Sequence, residues 1–204
     1  MIIKALADWL KRHFPGLYRA LRPWWRSVLG LRSGPGYWER RKDFQYYKEV
    51  IRLARVYAPT GGQVIDVGAN ETQVLRQLDW FQRRVALDIR YILPQVGIET
   101  IETDFMAYQP ECTFDLVLCL QVLEHLPEPT AFVQKLLETG RTVIISVPYK
   151  WPKAEYGTHV QDPVDETKLE SWIQCKPIEP LIVADQGERL IAVYQPLNNF
   201  DLNP

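Results

Sequence analysis

Cysteine is scarce in this chain, and the few cysteines argue against a disulfide-stabilised protein and against a cysteine-based zinc protein. Cys112, Cys119 and Cys175 are odd in number and show no paired spacing. We therefore expect neither a disulfide framework nor a cysteine-based zinc site. Cys119 lies inside an apolar run, as a small core residue would. The same pattern indicates a reducing compartment, and we expect the protein in the cytoplasm, with peripheral membrane contact as a further hypothesis.

Long apolar runs are also missing. No run approaches the roughly eighteen residues that a membrane-spanning helix needs. Lys4 and Asp8 interrupt the apolar residues near the N-terminus, so a secretory signal peptide is not expected. There is no internal repeat and no low-complexity tract. A hydrophobic content of 47% over 204 residues fits one globular domain with an appendage.

Net charge is small, at −1, but it is unevenly distributed along the chain. Residues 1–42 contain ten Lys or Arg residues against Asp8 and Glu39, a net charge of +8. The remaining 14 basic and 23 acidic residues give −9. The sequence therefore predicts a basic arm attached to an acidic body.

The arm is predicted at residues 1–36, as a basic amphipathic helical segment that ends in the Gly-Pro-Gly hinge at 34–36. Three interpretations stay open. The arm packs on the body as a lid, lies on a membrane surface with its aromatic side chains among the lipid headgroups, or binds nucleic acid. Trp24 and Trp25, placed between arginines, favour a membrane or an amphipathic substrate over nucleic acid.

Residues 37–204 alternate between strand and helix patterns. Strands are predicted at 64–67, 84–88, 98–103, 114–120, 142–147, 181–184 and 190–194, and helices at 38–57, 73–78, 129–137 and 165–172. This order predicts an α/β fold, a doubly wound, mostly parallel, seven-stranded Rossmann-like sheet that ends in an antiparallel hairpin. Only about nine residues separate the second and third strands, whereas a parallel crossover takes a dozen or more. We therefore expect shortened (trimmed) helices in this fold, with an irregular loop at 90–97 in place of the usual helix between the second and third strands.

The most informative stretch is Val-Ile-Asp-Val-Gly-Ala-Asn-Glu-Thr at 64–72. A buried-type strand runs into a tight turn, where a glycine lets the backbone approach a ligand. Asp88 closes the next strand about 20 residues on, at the spacing where such folds bind a ribose. Taken alone, the turn also fits a purely structural role with no ligand, because it has one glycine where a dinucleotide-binding fingerprint has three.

Four later motifs strengthen the functional interpretation. They are Ala-Leu-Asp-Ile at 86–89, Thr-Asp-Phe at 103–105, Phe-Asp-Leu-Val-Leu-Cys-Leu-Gln-Val-Leu-Glu-His-Leu at 114–126, and Val-Ile-Ile-Ser-Val-Pro at 143–148. Over about residues 45–195 the chain resembles the class I S-adenosylmethionine-dependent methyltransferases of the compact small-molecule type. The resemblance implies methyl transfer from S-adenosylmethionine to an oxygen, nitrogen or carbon of a small molecule, with lipid-like and glycan-linked acceptors included. The alternative is a non-catalytic relative that binds or scaffolds. The oligomeric state stays open.

The resemblance implies roles for the first turn. Asp66 would meet the amino acid end of the cofactor, and Gly68 would let the backbone close on it. Asn70 stands in for the second glycine, because asparagine tolerates left-handed backbone conformations. Thr72 replaces the third glycine with a branched side chain where the backbone usually lies close to the cofactor.

The resemblance also implies an adenosine site. Asp88 would accept hydrogen bonds from the ribose hydroxyls, and Asp104 would accept from the adenine amino group. Ile89 and Phe105 would form the apolar walls of the adenine slot. Each loop aspartate has a structural alternative as a helix cap or turn former.

The acceptor side is expected to follow the fourth strand. Leu120 and Gln121 would end that strand beside the methyl donor. Glu124, His125 and His159 are the catalytic candidates, because histidine has a pKa near neutral that suits a general base. A base is needed only if the acceptor loses a proton, and His125 has a structural alternative as a helix cap.

A metal-binding Glu-x-x-Glu-His motif, found in coenzyme Q biosynthetic O-methyltransferases and small-RNA ribose methyltransferases, resembles the segment Gln121-x-x-Glu124-His125. Here glutamine replaces the first glutamate, so one charged ligand is lost. Glu124, His125 and His159 remain an alternative set of metal ligands, but we expect no metal in this protein.

Overall fold

The computed structural model describes residues 37–90, 92–152, 159–185 and 187–196. The chain divides into two units, Met1–Arg40 and Arg41–Pro204. All the helices and strands given below belong to the second unit. The arm predicted at residues 1–36 lies outside the described residues, so its three interpretations stay predictions.

The described elements are α1 (Gln45–Tyr57), β1 (Gly62–Val67), a 3₁₀ turn (Val74–Gln77), β2 (Phe81–Asp88), β3 (Glu99–Glu102), β4 (Phe114–Leu120), a second 3₁₀ turn (Leu123–His125), α2 (Pro129–Thr139), β5 (Gly140–Pro148), α3 (Glu166–Ile173), β6 (Glu179–Asp185) and β7 (Gly187–Tyr194). The strand order in the sheet is β3-β2-β1-β4-β5-β7-β6. β7 is antiparallel to both of its neighbours, and the other pairs are parallel. The predicted fold class is confirmed.

The sheet places the candidate site by its topology. β1 pairs with β2 on one side and with β4 on the other, so the strand order reverses between β1 and β4. In doubly wound sheets, ligands bind outside the carboxyl ends of the strands at such a reversal. The turn at 66–72, the end of β2 and the end of β4 all lie at this edge.

The core explains why the central strands read as continuous apolar runs. Every residue of β4 is buried except Asp115, which is half-buried, and every residue of β5 is buried except Arg141. α2 and α3 pack on one face of these strands through Phe132, Leu136 and Trp172, among others. Strands covered on both faces lose the polar–apolar alternation that half-exposed strands show. In the part of the chain that the structure describes, no helix is long and apolar enough to cross a bilayer.

Helix α1 begins later than predicted. We expected it from residue 38, but residues 37–43 form turns and Phe44 has an extended backbone. The helix starts at Gln45 because Asp185, at the end of β6, accepts hydrogen bonds from the Gln45 amide at 3.0 Å and the Tyr46 amide at 2.7 Å. A residue about 140 positions away in sequence therefore caps the helix.

The connection between β2 and β3 has the irregular form that its length predicts. Its described residues contain no helix, and β3 is a four-residue edge strand. The loop folds back on the first turn, where the Leu93 amide donates to the carbonyl of Asn70 at 3.2 Å. The Gln95 amide group donates to the carbonyl of Thr72 at 2.9 Å.

Replacement of Asp185 by alanine tests the distant cap. Two amides at the start of α1 lose their acceptor, and we expect the free energy of unfolding to fall by about 1–2 kcal/mol. Urea denaturation followed by circular dichroism measures the change. The exposed Asp79→Ala change is the control, and an equal effect of both substitutions would contradict the capping role.

Candidate active site

The first carboxylate of the site is buried at the end of β1. Asp66 is buried, and the Thr72 hydroxyl donates a hydrogen bond to its Oδ2 atom at 3.2 Å. Burial raises the pKa of Asp66 to about 7, and the bond from Thr72 opposes this rise. Thr72, the branched side chain that replaces a glycine of the turn, thus donates a hydrogen bond to the carboxylate at the end of β1.

Glycine is required at position 68 by both conformation and space. Gly68 has φ +83°, and an added Cβ would lie 2.4 Å from a methyl carbon of Val122. Its amide donates to the carbonyl of Leu87 at 2.8 Å, and the amide of Ala69 donates to the same oxygen at 3.1 Å. Asn70 has φ 46°, the left-handed conformation that we expected asparagine to tolerate.

Asp88 joins the turn to the end of β2. Its Oδ2 atom accepts from the Asn70 amide at 3.0 Å, and its Oδ1 atom accepts from the Arg90 amide at 2.9 Å. Burial raises the pKa of Asp88 although both bonds lower it. A carboxylate offers about four lone pairs, so Asp88 retains the capacity to accept from two ligand hydroxyls.

The residues predicted for the adenine slot differ in exposure. Ile89 is 63% exposed at the end of β2, whereas Phe105 is 3% exposed and packs on Phe132 with the ring centroids 4.9 Å apart. Phe105 is therefore a core residue. Asp104 is exposed, and its Oδ1 atom accepts from the Met106 amide at 2.9 Å. Asp104 therefore stabilises a turn, and its contact with the adenine amino group stays a prediction.

Three polar side chains are linked by hydrogen bonds at the end of β4, and the sequence did not predict this arrangement. Leu120 is buried, and Gln121 adopts φ 58°. The Gln121 side-chain amide donates to the Ser146 hydroxyl at 3.3 Å, and the same hydroxyl lies 2.8 Å from that of Tyr46. Ser146 is the polar residue inside the apolar run of β5, which is the one sequence feature that marked it.

Glu124 is a buried acid whose hydrogen bonding is incomplete. Its Oε2 atom has no hydrogen-bond partner. Burial raises the pKa of Glu124 to about 8, and the charge of Asp162 adds to the rise. The carbonyl of Glu124 accepts from the amides of Val160 and Gln161 at 2.8 and 3.2 Å, which holds the loop before α3 against the end of β4.

His159 pairs with a buried aspartate that the sequence analysis missed. Its Nδ1 atom lies 2.6 Å from Oδ2 of Asp162, and the two side chains are 9% and 0% exposed. His159 also stacks on Trp151, with centroids 6.0 Å apart, and meets the edge of the His125 ring at 4.8 Å. The spacing His-x-x-Asp within one loop was the feature that marked the pair.

Glu124, His125 and His159 also form the set that would hold a metal ion. One ligand atom from each lies within 4.8 Å of the others. His125 is 40% exposed, with its Nε2 atom 4.0 Å from Oε1 of Glu124. Gln121 is outside this set and bonds to Ser146. Two imidazoles and one carboxylate would suit zinc, and our expectation of no metal stays a prediction.

The chain is similar to known methyltransferases. Residues 37–178, more than half of the chain, match the family described as a methyltransferase domain. A ubiquinone biosynthesis O-methyltransferase of Xanthomonas campestris pv. campestris (strain B100) is 29% identical over 148 residues, which cover 62% of this chain and 58% of that protein. The same enzyme of Pectobacterium carotovorum subsp. carotovorum (strain PC1) is 29% identical over 171 residues, which cover 70% and 67%. The match thus spans less than two thirds of the first relative.

Two solved structures share the fold. The N-methyltransferase NodS from Bradyrhizobium japonicum WM9, in complex with S-adenosyl-L-homocysteine, is 17% identical with a TM-score of 0.60, covering 77% of this chain and 91% of that one. The 1,6-didemethyltoxoflavin-N1-methyltransferase of Burkholderia thailandensis is 15% identical with a TM-score of 0.64, covering 88% of each chain. At these identities the similarity shows the fold.

Substitution of Asp66 by asparagine tests the cost of its buried charge. The raised pKa means that the folded state keeps a proton that the unfolded chain loses between about pH 4 and 7. Stability should therefore fall as pH rises through this window, by up to about 1.4 kcal/mol per pH unit, and Glu124 extends the fall toward pH 8.

We expect Asp66→Asn to make this dependence less steep, with the part due to Glu124 remaining, and to raise the melting temperature at pH 8. Differential scanning calorimetry of the ligand-free protein between pH 5 and 8 measures it. Asp79→Asn, at an exposed position, is the matched control and should follow the unmodified protein. The same slope for Asp66→Asn and the unmodified protein would show that Asp66 does not carry the effect.

Proposed function

The chain belongs to the methyltransferase domain family, and we propose that it transfers a methyl group from S-adenosylmethionine to a small-molecule acceptor. One observation carries the proposal. A single turn hydrogen-bonds the carboxylates at the ends of two neighbouring strands, with Thr72 bonded to Asp66 and the Asn70 amide bonded to Asp88. Such a pair suits a ligand that has a cationic group at one end and a ribose at the other.

The cofactor would complete the hydrogen bonding of this turn. Its ammonium group would pair with Asp66, a buried carboxylate that otherwise carries an uncompensated cost. Its ribose hydroxyls would donate to the remaining lone pairs of Asp88. We assign the exposed side chain of Ile89 to the adenine slot. S-adenosylhomocysteine, which is bound in the NodS structure, has the same ammonium, ribose and adenine groups.

We propose an oxygen atom as the acceptor. Methyl transfer is an in-line displacement at the sulfonium methyl, so the protein's main task is to hold the attacking atom in line. A hydroxyl must also lose its proton. The Nδ1 atom of His159 lies 2.6 Å from Oδ2 of Asp162, a contact that orients the imidazole as the acid beside a general base does. The O-methyltransferase names of the relatives support this assignment.

Glu124 suits a different role from the base that the sequence analysis considered. With its pKa raised to about 8, its carboxyl group is mostly protonated at neutral pH. A protonated carboxyl donates a hydrogen bond. We therefore assign Glu124 to orienting the acceptor and His159 to proton removal, with His125 as a neighbour at the rim.

The alternative of a non-catalytic binding or scaffolding protein loses part of its support. It rested on Asn70 and Thr72 in place of two glycines. Asn70 adopts the required left-handed conformation and bonds to Asp88, while Thr72 bonds to Asp66. Both replacements thus contribute contacts to the proposed cofactor site.

Calorimetric titration with S-adenosylhomocysteine tests the cofactor site. We expect the intact protein to bind it and Asp88→Ala to weaken binding by about 1–3 kcal/mol, because the ribose hydroxyls lose a charged acceptor. Asp79→Ala is the control and should bind as the intact protein does. An intact protein that does not bind would support the non-catalytic alternative.

Methyl-label transfer to a panel of phenols and catechols tests the proton acceptor. His159→Gln should lower kcat by about 10²–10⁴-fold, because a positioned base contributes that much, and should leave S-adenosylhomocysteine affinity unchanged. His125→Gln is the matched control, with a smaller expected loss. EDTA should leave the rate unchanged, and a rate abolished by EDTA would assign His159 to a metal instead.

A further inference from the structure

A buried arginine with few paired donors lies on the β7 strand. Arg189 is 5% exposed. Its Nη1 atom donates to the carbonyl of Gly187 at 3.1 Å. Among the described residues, no ion pair includes Arg189. A guanidinium has five N–H donors, so most of its hydrogen-bonding capacity is unused here.

Aromatic rings surround this cation. Its Cζ atom lies 5.3 Å from the ring centre of Tyr46, 5.5 Å from that of Trp151 and 5.8 Å from that of Phe44. Ring faces attract a cation, but they do not accept the in-plane hydrogen bonds of a guanidinium. Buried charges are normally paired with an opposite charge. Among the described residues, Arg189 therefore has no ion-pair partner, and the acid that interacts with its charge is Glu124, which burial keeps mostly protonated at neutral pH.

The contacts of Arg189 lead to the acceptor side of the site. Trp151 also stacks on His159, with centroids 6.0 Å apart. The Tyr46 hydroxyl bonds to Ser146, which in turn accepts from Gln121. None of the recorded contacts of Arg189 involves the turn at 66–72, where the amino acid end of the cofactor is proposed.

We propose that Arg189 binds a carboxylate of the methyl acceptor and so selects acidic acceptors. This inference rests on the proposed function, because it assigns the acceptor of the same site. A guanidinium matches a carboxylate through two parallel hydrogen bonds. The aromatic rings hold the guanidinium in place before the acceptor binds. In this arrangement the reacting hydroxyl of the acceptor would lie beside His159.

A matched pair of probes tests the selectivity without knowledge of the natural acceptor. Benzoate and benzamide have nearly the same shape and differ in charge. We expect the full chain, with and without S-adenosylhomocysteine, to bind benzoate at least about tenfold more tightly than benzamide, because a charge-assisted bidentate pair is the stronger one. Ligand-observed NMR titration measures both affinities.

Variants then assign the preference to one residue. Arg189→Met should remove the preference for benzoate, and Arg189→Lys should retain part of it. Arg52→Met is the control, since Arg52 is an exposed arginine paired with Glu49 and Glu179, and it should leave the preference unchanged. Melting temperatures identify any variant that does not fold.

Three results would overturn the proposal. The first is equal affinity of the intact protein for the two probes, which requires no variant. The second is a preference that Arg189→Met retains. The third is an Arg189→Met protein that loses affinity for S-adenosylhomocysteine but not for 5′-methylthioadenosine, which lacks the carboxylate, because Arg189 would then bind the cofactor. If the intact protein does not bind S-adenosylhomocysteine, the proposed function is contradicted instead. The comparison of benzoate with benzamide in the absence of cofactor distinguishes that failure from a failure of the Arg189 proposal.

Discussion

The hydrogen bonds between the first turn and the end of β2 set the geometry of the whole candidate site. The amides of Gly68 and Ala69 both donate to the carbonyl of Leu87, which ties the turn to the neighbouring strand. This arrangement requires a positive φ at Gly68 and leaves no room for a side chain beside Val122. Because the turn is held there, Asp66 and the end of β2 face the same edge of the sheet.

Two departures from the usual form of such a site compensate each other. The turn has one glycine instead of three, and the crossover between β2 and β3 is an irregular loop instead of a helix. The loop is free to fold back on the turn, where Leu93 and Gln95 bond to the carbonyls of Asn70 and Thr72. A shortened connection thus supports a turn that has lost glycines.

Buried ionisable groups are concentrated around Glu124 and His159. Glu124 and Asp162 each keep an oxygen without a hydrogen-bond partner, and Arg189 uses one donor atom. Leaving polar or charged groups incompletely paired in the interior reduces stability. Under the proposed function, a small polar acceptor would supply the missing partners and so offset this cost. The same reasoning applies to Asp66 on the cofactor side, where burial raises the pKa.

The sequence alone determined the α/β order, the seven strands and the positions of Asp66, Gly68 and Asp88, because apolar periodicity and turn residues are local properties. Only the tertiary structure decided how distant groups meet. The start of α1 depends on Asp185, and Arg189 lies over Trp151, which stacks on His159. It also showed that Phe105 packs in the core and that His159 pairs with Asp162. Burial and partner choice are set by packing between elements far apart in the chain, and no local pattern encodes them.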